Sequence, residues 1–337
     1  MLFRSAYKIE KASTKFQYGQ GITNLESSLD DKDLPILLAD GTFMDNDNDE
    51  FDYKQTLDLA NLTLGLFDDD EYKRDAPTVG FDVSEGTYVM NATLDFIDTP
   101  VFGDLETTDL PLLGKTYYVL DVATANNTIT LLDAAESQTL GEGDTATLTV
   151  DGKTYEVQVD FISSTPNVKF IVNGETTNSL GNSATQRLKD GAYIGVKEVL
   201  YTSKDSGKSK VEFSIGSGKL KIVSGDEVEL NDESIDNLIG YIVPASGDSG
   251  KLDKVALQWS AEQDSWIAPD SSIEMPGFKA VKMSFTGMTY PAEEEIKVQA
   301  DGDDNIVLSN FPLANGVTET INLLQSKIGR ASCRERV

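Results

Sequence analysis

The chain has 337 residues, 57 acidic and 28 basic side chains, a formal charge of −29, no histidine and a single cysteine, Cys333. Phosphate recognition needs a sizeable basic face, so no nucleic-acid partner is expected. Without histidine, neither Ser–His–Asp nor Cys–His catalysis is available, and zinc sites built on His or Cys fall with them.

Apolar residues make up 39% of the chain, enough to build cores, and the length predicts about two or three domains. Residues 1–35 read as part of an upstream segment. The start, Met1-Leu2-Phe3-Arg4-Ser5-Ala6-Tyr7-Lys8, lacks the apolar core of a signal peptide. Its Ser5-x-x-Lys8 spacing has no companion motif and reads as chance. Ser28–Asp33, closed by Leu34-Pro35, predicts one or two turns of helix. No run of about 18 apolar residues occurs, so no membrane span is expected.

From residue 36 the pattern is strand after strand. Tyr88-Val89-Met90-Asn91-Ala92-Thr93-Leu94-Asp95-Phe96 puts its even-numbered residues on one apolar face. Tyr155, Val157, Val159 and Phe161 alternate with Glu156, Gln158 and Asp160, and Val168, Phe170 and Val172 repeat the pattern; these seven apolar residues are expected to share one core. The same period recurs at 146–150, 211–215, 281–285 and 296–298. One wet face per strand points to antiparallel sheets. Asp151-Gly152 and Asn173-Gly174 tolerate the positive φ of tight hairpins. Similar punctuation stands at Asp40-Gly41, Asp190-Gly191, Asp301-Gly302 and Asn315-Gly316. The fold class expected is all-β, as tandem immunoglobulin-like antiparallel sandwiches. The expected divisions are 36–112, 113–203 and 204–327. The middle one reads as a compact unit open to being an insertion. The two flanks are two domains or two halves of one.

Candidate chemistry is sparse. Asp45, Asp47 and Asp49 alternate as in a calcium loop, but Glu50 and Thr56 stand where an EF-hand needs Gly and Glu. A looser oxygen-ligand site for calcium is the functional reading, and a solvated acidic turn the plain one. Asp68–Glu71 and Asp301–Asp304 read the same way. Gly207-Lys208-Ser209 lacks the upstream glycine of a phosphate loop. Three N-x-Thr sequons begin at Asn61, Asn91 and Asn126. Asn91 falls on the wet face of its strand and Asn126 in a turn, which suits a glycan at both; Asn61 is the weaker candidate.

The last ten residues, Ile328–Val337, match codon by codon a translated short-read sequencing adapter, and 328–337 is set aside from fold reasoning. Without its three Arg and one Glu, the charge moves from −29 to −31 and the cysteine is gone. Five blocks then follow in order: Leu34–Phe43, Asp49–Gln55, Leu113–Asp121, Glu227–Ser234 and Met275–Phe285. In this succession the chain resembles archaeal S-layer proteins, the surface-layer glycoproteins of methanococci and related archaea. The resemblance spans about 20–310. It implies a non-enzymatic lattice protein outside the cell membrane, often N-glycosylated, that assembles with copies of itself. Rival readings are a secreted adhesin or carbohydrate-binding module, marked by a grouped aromatic platform, and a carboxylate-dependent hydrolase, marked by a cleft with two facing acids.

Overall fold

The computed structural model describes residues 6–10, 16–67, 78–133, 135–203, 207–287, 295–302, 305–313 and 317–325. The chain forms two compact units, Met1–Gly287 and Met288–Val337. The first opens with β1 (Ser28–Leu29), β2 (Gly41–Met44), β3 (Glu50–Leu59), β4 (Leu64–Phe67), β5 (Thr78–Val83), β6 (Tyr88–Phe96), β7 (Asp109–Leu112), β8 (Lys115–Ala123) and β9 (Thr128–Asp133). It continues through β10 (Glu136–Gly141), β11 (Thr145–Val150), β12 (Lys153–Ile162), β13 (Asn167–Val172), β14 (Glu175–Thr176), β15 (Leu180–Gly181), β16 (Thr185–Arg187), β17 (Tyr193–Leu200) and β18 (Lys210–Gly216). It closes with β19 (Gly218–Val223), β20 (Glu227–Leu230), β21 (Glu233–Ala245), β22 (Asp248–Ser260), β23 (Ser265–Ile267), β24 (Ser272–Glu274) and β25 (Lys282–Ser284). The second unit holds β26 (Lys297–Asp301), β27 (Asn305–Pro312) and β28 (Thr318–Gln325).

The protein is all-β. Among the described residues the helical elements are two short 3-10 turns, Ile22–Asn24 and Phe102–Leu105. The helix expected over Ser28–Asp33 does not form: Ser28 and Leu29 pair with Asp58 and Leu57 of β3, and turns follow. The sheet edge satisfies the backbone there in place of a helix.

Tandem immunoglobulin-like sandwiches are not confirmed. One eleven-stranded antiparallel sheet runs β1-β3-β6-β22-β21-β20-β19-β9-β8-β7, with β2 also on β3. It joins residues 28–133 to residues 218–260 through β6–β22 and β9–β19, whose registers are Leu94↔Val255 and Leu131↔Leu220. Its core includes Phe43, Leu57, Met90, Leu94, Leu105, Leu131, Leu238 and Leu257. Trp259 is buried in the same core, as its place on the Leu257 face implies.

Between β9 and β19 the chain leaves this sheet and returns. The excursion, β10 to β18, is itself a two-sheet sandwich, β10-β18-β17-β16 facing the sheet of β11-β12-β13 with β14 and β15. Of residues 113–203, β8 and β9 pair in the large sheet and β10–β17 in this sandwich. Its core contains Tyr155, Val157, Val159, Val168, Phe170 and Val172, and the Phe170 and Phe213 rings lie 5.0 Å apart within it. Phe161 is a correction: it is 45% exposed, and Ile162 is buried in its place. The β12–β13 register shifts between Val159 and Phe161, so Asp160 is an extra residue and the side-chain parity beyond it reverses. The expected hairpins form, with positive φ at Asp151, Gly152, Asn173 and Gly174. Gly191 and Gly302 also take positive φ; Asn315-Gly316 lies outside the described residues.

In the second unit, β26, β27 and β28 form a three-stranded antiparallel meander. The half-buried strand expected around 296–298 is there, but Ile296 and Val298 are exposed.

Candidate cation and glycan positions

Asp45 ends the β2 side of the turn into β3 and is buried. Its Oδ1 accepts the amide hydrogens of Asp47 at 3.0 Å and Asp49 at 2.9 Å, an Asx turn that folds the loop back on itself. The backbone closes it further: Asp45 N–H donates to the Asp49 carbonyl, and Asn46 N–H to the Asp104 carbonyl. Asn48 takes a φ of 67°, which asparagine tolerates. Asp104 thus sits beside the acidic loop, which sequence spacing does not reveal. Burial, then the charges of Asp47, Asp45 and Asp49, push its carboxyl above the ordinary range. Among the described residues no group of three or more His, Cys, Asp or Glu is placed to hold a metal ion. Asp45, Asp47 and Asp49 therefore share a turn without converging as ligands. Asp68–Glu71 lies outside the described residues, as do Asp303 and Asp304.

Asn126 is exposed in the turn between β8 and β9. The Thr128 hydroxyl of its sequon is buried with no hydrogen-bond partner. Asn91 lies mid-sheet on β6, opposite Asp58 of β3 and Gln258 of β22, half-buried on the face away from the core. Its Nδ2 donates to Thr93 Oγ1 at 3.1 Å. Asn61 is exposed, but its Oδ1 accepts from Thr23 and its amide lies over Gly21, where an added Cβ would meet it.

Gly207-Lys208-Ser209 leads into β18 and is held by side-chain contacts. Lys208 pairs with Asp144, and Ser209 Oγ accepts from Thr202 N–H at 3.0 Å. A cavity of about 160 Å³ beside Trp259 carries Glu262 and Glu274, below the few hundred Å³ of most ligand sites. Among the described residues, no helix is long and apolar enough to cross a membrane.

The strongest polar cluster is one the sequence did not single out, where the excursion docks on the large sheet. Tyr193 of β17 packs on Tyr118, Leu120 and Leu132 of β8 and β9. Lys219 of β19 pairs with Asp232, reaches Thr185 Oγ1 at 3.3 Å, and stands 5.4 Å from the Tyr193 ring. On the far side of this contact Lys197 pairs with Glu106, whose other oxygen accepts Val122 N–H at 3.1 Å. Lys197 is the extra residue of a β-bulge between Val196 and Glu198. In β17, Gly195 leaves room for Leu120; in β18, Gly216 does the same for Leu132. This seam joins the two parts of the first unit.

No protein-family model, curated protein or solved structure matches this chain.

Proposed function

We propose that this protein is a structural, non-enzymatic subunit of an archaeal cell-surface lattice of the S-layer kind. The observation that carries the reading is where the five resembling blocks fall. Leu34, Leu38, Phe43, Tyr53, Leu113, Tyr117, Val119, Val228, Met275 and Val281 come from all five, and they belong to one core around the large sheet. The excursion from β10 to β18 contributes none of them. That apolar residues of all five blocks share one core supports reading the blocks together.

The charge suits the role. A surface carrying −29 keeps crowded subunits apart until salt screens them or divalent cations bridge them. Asn126 and Asn91 are the proposed glycan positions, with Asn61 third. Asn126 is exposed in a turn, Asn91 is half-buried, and Asn61, though exposed, is held by Thr23.

The test is negative-stain electron microscopy of the protein on a flat support. Calcium chloride and sodium chloride are compared at matched ionic strength. Ordered two-dimensional arrays are expected, forming more readily with calcium. Discrete particles in both salts, from protein whose far-ultraviolet spectrum is that of folded β-sheet, would reject the lattice reading.

A further inference from the structure

The meander of the second unit has two unlike faces. Its registers pair Val298 with Leu308 and Ala300 with Ile306 across β26–β27, and Leu308 with Ile321 and Ile306 with Leu324 across β27–β28. Paired residues share a face. Val298, Ala300, Ile306, Leu308, Ile321 and Leu324 therefore form one continuous apolar surface. The other face carries Lys297, Gln299, Asp301, Asn305, Ser309 and Asn322; Val307 is its one central apolar side chain, and it is buried.

The apolar face is exposed, and so are Lys297, Gln299, Asp301 and Asn322 on the other face, where Val307 and Ser309 are buried. Val298 is 67% exposed and Leu324 66%; Ile306 and Ile321 are each 39% exposed, and Leu308 is half-buried. Alternation in β26 and β27, with a register shift that brings Ile321 and Leu324 of β28 to the same side, gives the apolar pattern of one inner face of a sandwich. A contiguous exposed patch of this kind marks an interaction site.

We propose that this face packs against the same face of a second copy, making a six-stranded sandwich across a twofold axis. This deepens the lattice reading, on which it rests for its purpose, by naming one contact. Size argues for it. A Val, Ile or Leu side chain removes about 60–120 Å² from water when covered. Five such side chains with Ala300, and Ile296 at the rim, taken at their present exposure, give about 500 Å² per copy, so about 1,000 Å² for the pair, the floor for a specific interface. Charge argues for it too. Among the described residues the register puts one charged side chain on this face, Glu319, opposite Phe311 at one end, so two copies of a strongly acidic chain meet here without facing carboxylates at the centre. A twofold pairing is also self-complementary and closed, as most homomeric contacts are.

The experiment is sedimentation equilibrium of the full chain from about 1 to 100 µM, in salt high enough to screen the net charge. A monomer–dimer equilibrium is expected. Val298→Asp and Leu324→Asp should each weaken it at least about tenfold, while the main melting transition stays in place. Should the Asp variants misfold the meander, cysteine scanning keeps the question open to refutation. In a Cys333→Ser background, Leu308→Cys at the centre of the face should form a disulfide-linked dimer on oxidation, and Gln299→Cys on the opposite face should not. A monomer throughout, with an environment-sensitive dye bound in the parent and lost in Val298→Asp, would overturn the proposal in favour of some other cover for the face. The two readings separate cleanly. Arrays formed by a protein that stays monomeric in solution and gives no Leu308→Cys dimer would sink this contact and leave the lattice standing. A dimer without arrays would uphold the contact and sink the lattice.

Discussion

Tyr193 donates its phenolic hydrogen to Asp232 Oδ2 at 2.9 Å, tying β17, the last strand but one of the excursion, to the large sheet at the point where Lys219 also pairs with Asp232. Burial first, then the bond to Asp232, pushes the Tyr193 hydroxyl up to about 12. Burial alone would raise the Asp232 carboxyl, but hydrogen bonds from Lys219 and Tyr193, with the Lys219 and Arg187 charges, outweigh it and hold the group below its ordinary value. The tyrosine's raised value makes its contribution full below about pH 10, the unfolded value, and lost as pH climbs towards about 12. The depressed carboxyl works the other way, stabilising above about pH 4 and failing as acid protonates it. Tyr193→Phe should cost about 1 kcal/mol at neutral pH and flatten the decline between about pH 10 and 12. Tyr155, raised to about 12 by burial and by its bond to Asp190, contributes to the decline that remains, as do Tyr117, Tyr53 and Tyr88, which burial also raises. Chemical denaturation across that range checks both points; a variant curve parallel to the parent's would refute the linkage.

Tyr118 lies a strand away in the same seam with its hydroxyl buried and unpartnered. Leaving such a group dry and unbonded costs about 1–3 kcal/mol. Tyr118→Phe should therefore raise stability by about 1 kcal/mol, and a thermal melt reads it directly. Destabilisation would mean that the hydroxyl has a partner in solution.

The seam also depends on missing side chains. A Cβ on Gly216 would stand 2.8 Å from Leu132 Cβ and 3.1 Å from the Asp133 carbonyl, atoms that cannot swing aside. Gly216→Ala should cost about 1–3 kcal/mol by overpacking. Gly195→Val should do the same against Leu120, which is fully buried. Limited proteolysis should show the excursion cut sooner in both variants. Unchanged melting would show that the sheets separate more easily than the packing implies.

The β12 bulge yields a paired comparison. Ile162 is buried and Phe161 is 45% exposed, although alternation assigns Phe161 to the core. Ile162→Ala should cost about 3 kcal/mol and Phe161→Ala clearly less. Urea midpoints of the two variants decide it, and the reverse order would place the parity change elsewhere.

At the acidic turn two substitutions should act in opposite directions. Asp45→Ala removes the acceptor of two amide hydrogens and should destabilise the loop by about 1–2 kcal/mol. Asp104→Asn removes a carboxylate whose value is raised by burial and by three neighbouring acids, so it should lift the melting temperature at pH 7. That gain should vanish below about pH 4, where the parent's carboxyl is protonated in both states. A loss on Asp104→Asn at pH 7 would mean that its charge is compensated.

Much of the architecture was readable from local pattern. Alternation over Tyr155–Val159 and Val168–Val172 specified faces correctly, because side-chain period two is a property of a single strand. The Asp151-Gly152 and Asn173-Gly174 turns were equally local, since only residues that accept positive φ close such hairpins. What alternation could not show is an inserted residue. Asp160 and Lys197 are extra only relative to the strands beside them, so Phe161 turns outward and Lys197 is left out of the ladder beside Glu106 for reasons no single strand contains. The pairing of β9 with β19 across an excursion of more than eighty residues is likewise a matter of closure between distant segments, as is Asp104 beside Asp45. At 296–298 alternation predicted a strand with one apolar side, and only the strand pairing joins Val298 to Ile306, Leu308, Ile321 and Leu324 in one face. Local sequence determines which side of a strand avoids water; only the packing of whole sheets decides whether anything is there to cover it.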